Sequence, residues 1–319
     1  MRILVTGGAG YIGATAVDVL ISEGFHVSIL DDLSTGHRTA VHPTATFIEG
    51  SLLDPASLSQ ALNGCEAVMH FAGKSLVGES VEKPDLYWNI NVNGTRALLD
   101  EMRKQEISQL VFSSSAATYG APEEMPISEL AQASPTNPYG VTKLAIDEMI
   151  SQQTQDFGLS AISLRYFNVA GALKGSRGWL PEKHNPETHL IPNLLKSTEL
   201  KPIHMYGTDW PTPDGTAIRD YVHVTDLVQA HIQALRSLEI GKHRIINLGS
   251  GRGYSVREVL TATASFLGRS VPHIESPRRS GDPMTLIADI SQAKEVLAWV
   301  PTRDISSMVA DTAHSLEIV

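Results

Sequence analysis

The chain has 319 residues, 42% of them hydrophobic and 19% charged, ordinary proportions for a folded protein with a large core. A formal net charge of −10 without a basic stripe excludes a general binder of nucleic acid or membrane surfaces, although a few arginines suffice to hold an anionic small molecule. The single cysteine, Cys65, excludes an intramolecular disulfide. No apolar run is long enough to span a bilayer, and with no signal peptide ahead of the first strand the expected location is the cytoplasm.

In chain order, Ile3-Leu4-Val5 reads as a buried strand that enters a glycine turn, and residues 12–22 carry helical periodicity. Strand runs recur at Val27–Leu30, Thr46–Ile48, Ala67–Phe71, Leu110–Phe112 and Ala161–Leu164, with a helical pattern over Asn93–Lys104 between two of them. Strand–helix alternation of this kind requires crossovers. The expected fold is therefore α/β: a doubly wound, Rossmann-like parallel sheet with a smaller C-terminal substrate domain. After Asn168, Gly, Pro and His thicken over Gly171–Pro192 and Tyr206–Gly215, as in binding loops. A strand at Arg244–Leu248 and a helix from Ser255 to Leu267 follow. The expected division places residues 1–168, with about 217–239, in the dinucleotide domain. About 169–216 and 240–319 form the smaller one.

Gly7, Gly10 and Gly13 are spaced Gly-x-x-Gly-x-x-Gly directly after a strand and at the start of a helix. That context suits a pyrophosphate, because glycine permits close backbone approach and the helix start offers free N–H groups. Asp31 and Asp32 end the second strand, where a carboxylate accepts from a ribose 2′-hydroxyl and repels a 2′-phosphate, favouring NAD over NADP.

Asn137 and Pro138 form a good N-cap and first turn, and Tyr139 and Lys143 then share one helix face. An ammonium beside a phenol favours the phenolate, and together with the positive nicotinamide it is expected to give a general base poised near neutral pH. Tyr-x-x-x-Lys alone is common. Here the preceding strand ends in Ser113-Ser114-Ser115, and a hydroxyl at the carboxyl end of a parallel strand points into the ligand crevice. These serines either serve the site or only cap the strand.

These segments resemble the extended short-chain dehydrogenase/reductase family, and within it the sugar-nucleotide 4-epimerases. The resemblance runs nearly end to end: Thr6–Gly13, His70–Gly73 with Val77–Ser80, Ser113–Ala116, Asn137–Gly140, Leu164–Asn168, Thr212–Thr216, Arg219–Tyr221 and Arg278–Asp282. It implies Ser115, Tyr139 and Lys143 as a catalytic triad. It implies NAD bound by the glycine turn with Tyr11 and Ile12, and by Asp31, Asp32, Phe71, Ala72, Gly73, Lys74, Tyr139, Lys143 and Phe167. It further implies a UDP-hexose held by Ser115, Tyr139, Asn168, His189, Leu190, Arg219, Arg279, Asp282 and Leu286. The implied reaction interconverts UDP-galactose and UDP-glucose at C4 through a transient 4-keto-hexose, in a homodimer joined by the helices beginning near Asp85 and Tyr139. Other nucleotide-sugar epimerases or dehydratases, N-acetylhexosamine epimerases included, are the alternative. A non-catalytic dinucleotide sensor needs neither Tyr139 nor Lys143, and a dehydratase typically carries an acidic pair where Ala116-Ala117 stand. The chain departs from the family pattern at Ala14-Thr15, Ser51, Lys74-Ser75, Ile90 and His189.

Overall fold

The computed structural model describes residues 1–184, 186–279 and 281–318. Six strands carry the main sheet: β1 (Arg2–Thr6), β2 (His26–Asp31), β3 (Thr46–Glu49), β4 (Ala67–His70), β5 (Gln109–Ser115) and β6 (Ser160–Tyr166). A seventh, His243–Leu248, lies outside β6, giving the order 243–248, β6, β5, β4, β1, β2, β3. Every pairing is parallel. The chain therefore reverses its direction of travel across the sheet between β1 and β4, which opens a crevice beyond their carboxyl ends.

The strands read as continuous apolar runs because both faces are covered. Ile3, Leu4 and Val5 are all fully buried. Along one face lie α1 (Tyr11–Ser22) and, later in the chain, a helix at 224–236. The other is covered by α2 (Pro55–Leu62), α5 (Gly94–Lys104) and α6 (Pro138–Phe157). In α5 the buried Thr95, Leu98, Leu99 and Met102 follow the helical repeat of a one-sided stripe. Two short helices, α3 (Val77–Glu82) and α4 (Pro84–Tyr87), and a π-helical turn (Trp88–Asn93) lead into α5.

Residues beyond 168 contribute α7 (Leu190–Leu195), α8 (Val224–Arg236) and α9 (Val256–Leu267). The expected division fails at two strands. Arg244–Leu248, assigned to the smaller domain, pairs with β6 in the main sheet. Conversely, Ile218–His223, assigned to the dinucleotide domain, pairs with 168–170, 253–255 and 285–286 in a separate small sheet. The helix between them, α8, does pack in the main core. The chain thus crosses from one layer to the other and back within 30 residues. Among the described residues no helix is long and apolar enough to cross a membrane.

Candidate active site

A single cleft of 1180 Å³ runs along the carboxyl ends of the main sheet, between it and the small sheet. It is larger than the space one drug-sized ligand occupies. Of the residues expected at the site, all but Leu190 line it. Leu190 packs instead against the hydrophobic core of the smaller layer.

At one end the glycine turn joins β1 to α1. Gly7 takes φ +70, and a Cβ there would lie 2.8 Å from the Ala72 nitrogen. A Cβ on Gly13 would sit 2.1 Å from the Gly7 carbonyl oxygen, so the first turn of α1 closes on β1 only with glycine present. Gly10 is the N-cap and no side chain caps the helix, which leaves the amides of Tyr11, Ile12 and Gly13 to face an anion. The Asp31 carboxylate accepts from the Ala9 and Leu33 amides, each at 2.9 Å. Burial pushes this carboxyl up and the two amides oppose the rise. Two bonds fill about half of a carboxylate's roughly four acceptor positions, leaving room for ribose hydroxyls. Asp32 is exposed beside it and caps Ser34.

The loop after β4 is held by a buried chain of bonds. Thr6 Oγ1 accepts from the Ala72 amide at 3.2 Å, so its proton goes to His70 Nδ1 at 2.7 Å. Thr95 donates to the Asn91 carbonyl, so its oxygen accepts from His70 Nε2 at 2.9 Å. The tautomer is fixed by its partners, and burial drives the imidazole down to about 3, keeping it neutral. Asn91, in the π-helical turn, accepts from the Lys74 amide at 2.8 Å and donates to the Lys74 carbonyl at 3.0 Å and to Thr142 at 3.1 Å. One amide thus clamps the 72–75 loop to α6. The sequence reading passed over Asn91 in favour of its neighbour Ile90; its only local signal is a run of alternating asparagines at 89, 91 and 93.

At the centre, Asn137 Oδ1 accepts from the Gly140 amide at 2.9 Å and Pro138 occupies the first turn, as expected of this helix start. Tyr139 and Lys143 project from α6 toward the end of β5, where Ser115 lies. The Ser115 hydroxyl accepts from the Ala117 amide at 3.1 Å and lies beside the Tyr139 phenol, whose proton affinity it lowers, so capping and site contact coexist. Lys143 Nζ donates to the Ser113 carbonyl at 2.8 Å and stands 5.9 Å from the centre of the Tyr139 ring. Burial lowers Lys143 to about 8, partly opposed by Asp147. In the chain by itself burial raises Tyr139 and Ser115 alone opposes it; the expected lowering draws on the positive nicotinamide as well as Lys143. Tyr166, bonded to Ser113, lines the same stretch and also escaped the sequence reading.

At the far end the small sheet contributes Arg219, Asn168 and Leu286, joined by Asp282 from the loop before 285–286 and by Phe167 just after β6. Arg219 is held by the Ile218 carbonyl at 2.8 Å and faces Asp282 at 3.8 Å. Arg279 stacks 3.9 Å above the Tyr206 ring; its neighbour Ser280 lies outside the described residues. His189, beside Leu190, is engaged by Glu182 and Glu187 at 2.8 and 3.0 Å. The Thr212–Thr216 segment stays out of the cleft: Asp214 accepts from the Thr216 amide at 2.9 Å and meets Ser255, the N-cap of α9, so this is a local turn docked on a helix start.

This fold and cleft define a class, and the chain belongs to it: the NAD dependent epimerase/dehydratase family, whose model matches residues 3–249. The UDP-glucose 4-epimerase of Corynebacterium glutamicum is 51% identical over 314 residues, covering 98% of this chain and 94% of that protein. That of Streptomyces lividans is 46% identical over 315 residues, covering 97% and 94%. The UDP-glucose 4-epimerase of Brucella ovis, solved in complex with NAD, matches with a TM-score of 0.93 at 42% identity over 98% of each chain.

Proposed function

We propose that this protein is an NAD-dependent epimerase that interconverts UDP-galactose and UDP-glucose at C4, acting in the cytoplasm as a homodimer. The carrying observation is that Ser115, Tyr139 and Lys143 line one cleft together with the glycine turn, Arg219 and Arg279. The residues present fit NAD: uncapped amides at α1 suit a pyrophosphate, and Asp31 suits ribose hydroxyls while repelling a 2′-phosphate. When bound, NAD supplies the reversible two-electron oxidation of the C4 alcohol to a ketone.

The chain's own residues do the rest. Tyr139 takes the C4 hydroxyl proton and later returns it, with Ser115 orienting both hydroxyls. Lys143 keeps a positive charge near the phenol at neutral pH, since it titrates only at about 8. Arg219 and Arg279 hold the diphosphate, for which planar guanidinium forks are suited. Because the reaction has no net redox change, one cofactor serves many turnovers if the cleft retains it.

The test is incubation of purified protein with UDP-galactose and no added cofactor, with products resolved by NMR. Conversion toward UDP-glucose is expected; no conversion even after NAD is supplied would overturn the reading.

A further inference from the structure

One wall of the cleft carries a cluster of which only His189 is assigned to the sugar nucleotide. Glu182, His184, Glu187 and His189 follow Glu-x-His-x-x-Glu-x-His, and one donor atom from each lies within 4.8 Å of all the others. His189 Nδ1 is 2.8 Å from Glu182 Oε1 and 3.0 Å from Glu187 Oε1, and His184 Nδ1 is 3.0 Å from Glu182 Oε1. The carboxylates are the inner members: their side chains are 5% and 11% exposed. Glu187 Oε2 is shut off from solvent and has no hydrogen-bond partner among the described residues. A buried carboxylate oxygen left unpaired is costly unless something positive meets it.

We propose that these four side chains form a binding site for a divalent cation of the zinc type, which holds the two ends of the 182–189 segment together along the cleft. Two imidazole nitrogens and two carboxylate oxygens are a donor set that Zn²⁺ accepts in four-coordinate sites. Around an ion with bonds of 2.0–2.1 Å, tetrahedral donors stand about 3.3 Å apart. The three close pairs need to open by a few tenths of an ångström and the widest to close by about 1.5 Å, which side-chain rotation provides. With both imidazoles neutral the cluster carries two negative charges, which a divalent cation cancels. The segment lies between the glycine turn and α7: the charges of Glu182 and Glu187 reach the Tyr11 phenol and help to raise it, and Asn193 of α7 donates to the Glu187 carbonyl at 3.3 Å.

This goes beyond the sugar-nucleotide reading, and its readout does not depend on turnover. Untagged full-length protein, stripped with a chelator, is dialysed against Zn²⁺ and then metal-free buffer, and its metal content is measured by atomic emission. About one equivalent per chain is expected, falling at least tenfold in the His184→Ala/His189→Ala double variant. Glu182→Gln, which preserves shape, is the second variant and should also lose metal if the double variant does not fold. Co²⁺ in place of Zn²⁺ should give the visible absorption of a four-coordinate site. Failure of the wild type to retain stoichiometric metal, or equal retention by the folded variants, would overturn the site and leave His189 as a protonated bridge between two carboxylates.

Discussion

Lys143 donates from Nζ to the main-chain carbonyl of Ser113 at 2.8 Å, which ties an ammonium on α6 to the strand that ends in Ser115. The bond locates the charge, but burial makes that charge expensive. The unfolded chain keeps the proton to about 10.5 and the folded chain only to about 8. Between those values unfolding takes up a proton, so stability is present in full above the upper value and is lost as pH falls through the lower one. The loss at neutral pH is at most on the order of 3 kcal/mol. Lys143→Met has no such group. In cofactor-free protein, the melting temperature of the wild type relative to this variant should rise as pH is raised from about 8 to 10. A difference that stays flat across the window would reject the buried-charge account.

Gly13 and Gly10 separate packing from ligand approach. A Cβ at 13 meets the Gly7 carbonyl oxygen at 2.1 Å, whereas one at 10 meets the same atom at 3.4 Å, an ordinary contact. Gly13→Ala should therefore lose about 3 kcal/mol or more of stability, because α1 must move away from β1. Gly10→Ala should melt within a few degrees of the wild type. Thermal unfolding of the two proteins side by side decides it.

Asn91 holds the loop at 72–75 through both edges of one amide and reaches Thr142 besides. Asn91→Leu keeps the volume but leaves the Lys74 amide and carbonyl unpaired, at about 1–3 kcal/mol each. We expect retained NAD, measured after acid release, to fall at least tenfold, while UDP affinity by calorimetry stays within about twofold. An unchanged NAD content would assign the amide to stability alone.

Most of the cleft was legible in the sequence because its signals are local. The glycine turn, the Asn137-Pro138 helix start and the Ser113–Ser115 strand end each depend on neighbours within a few residues. Pairing across the chain was not legible. Ile218–His223 and His243–Leu248 are both six-residue strands of mixed polar and apolar residues, and nothing within either says which sheet it joins; β6 and the 168–170 strand decide that from a distance. Spacing likewise reveals the lysine one turn from Tyr139, but not the burial that raises the phenol in the chain by itself. His70 and Asn91 work through partners 17 to 64 positions distant, beyond the reach of any local pattern.

The proposed homodimer rests on apolar side chains left in solvent near the helices expected at the interface. Val81 on α3 is 63% exposed, Trp88 after α4 is 44% and Val141 on α6 is 41%. Aromatic residues of this kind are enriched in the buried cores of interfaces. Light scattering coupled to size exclusion should give twice the chain mass for the wild type. Trp88→Asp, which places a charge in that patch, should give the single-chain mass with little change in helicity. A wild type that runs as a monomer would remove the dimer from the proposal.

Arg219 offers a sharper test of the substrate end, because its geometry separates charge from shape. Its guanidinium is anchored by the Ile218 carbonyl at 2.8 Å and balanced by Asp282 at 3.8 Å, so the fork enters the cleft in one orientation. Charge-assisted bonds to an anion contribute about 1.5–3 kcal/mol. Arg219→Ala should therefore weaken UDP binding by roughly 10- to 100-fold. Arg219→Lys retains the charge but not the planar pair of donors, so it should recover only part of that loss. If the arginine grips the diphosphate equally in ground and transition states, the damage appears in KM while kcat changes little. Calorimetry with UDP and steady-state kinetics on the two variants measure both halves. Full recovery by lysine would mean that charge alone matters, and loss confined to kcat would place Arg219 at the reacting sugar instead of the diphosphate.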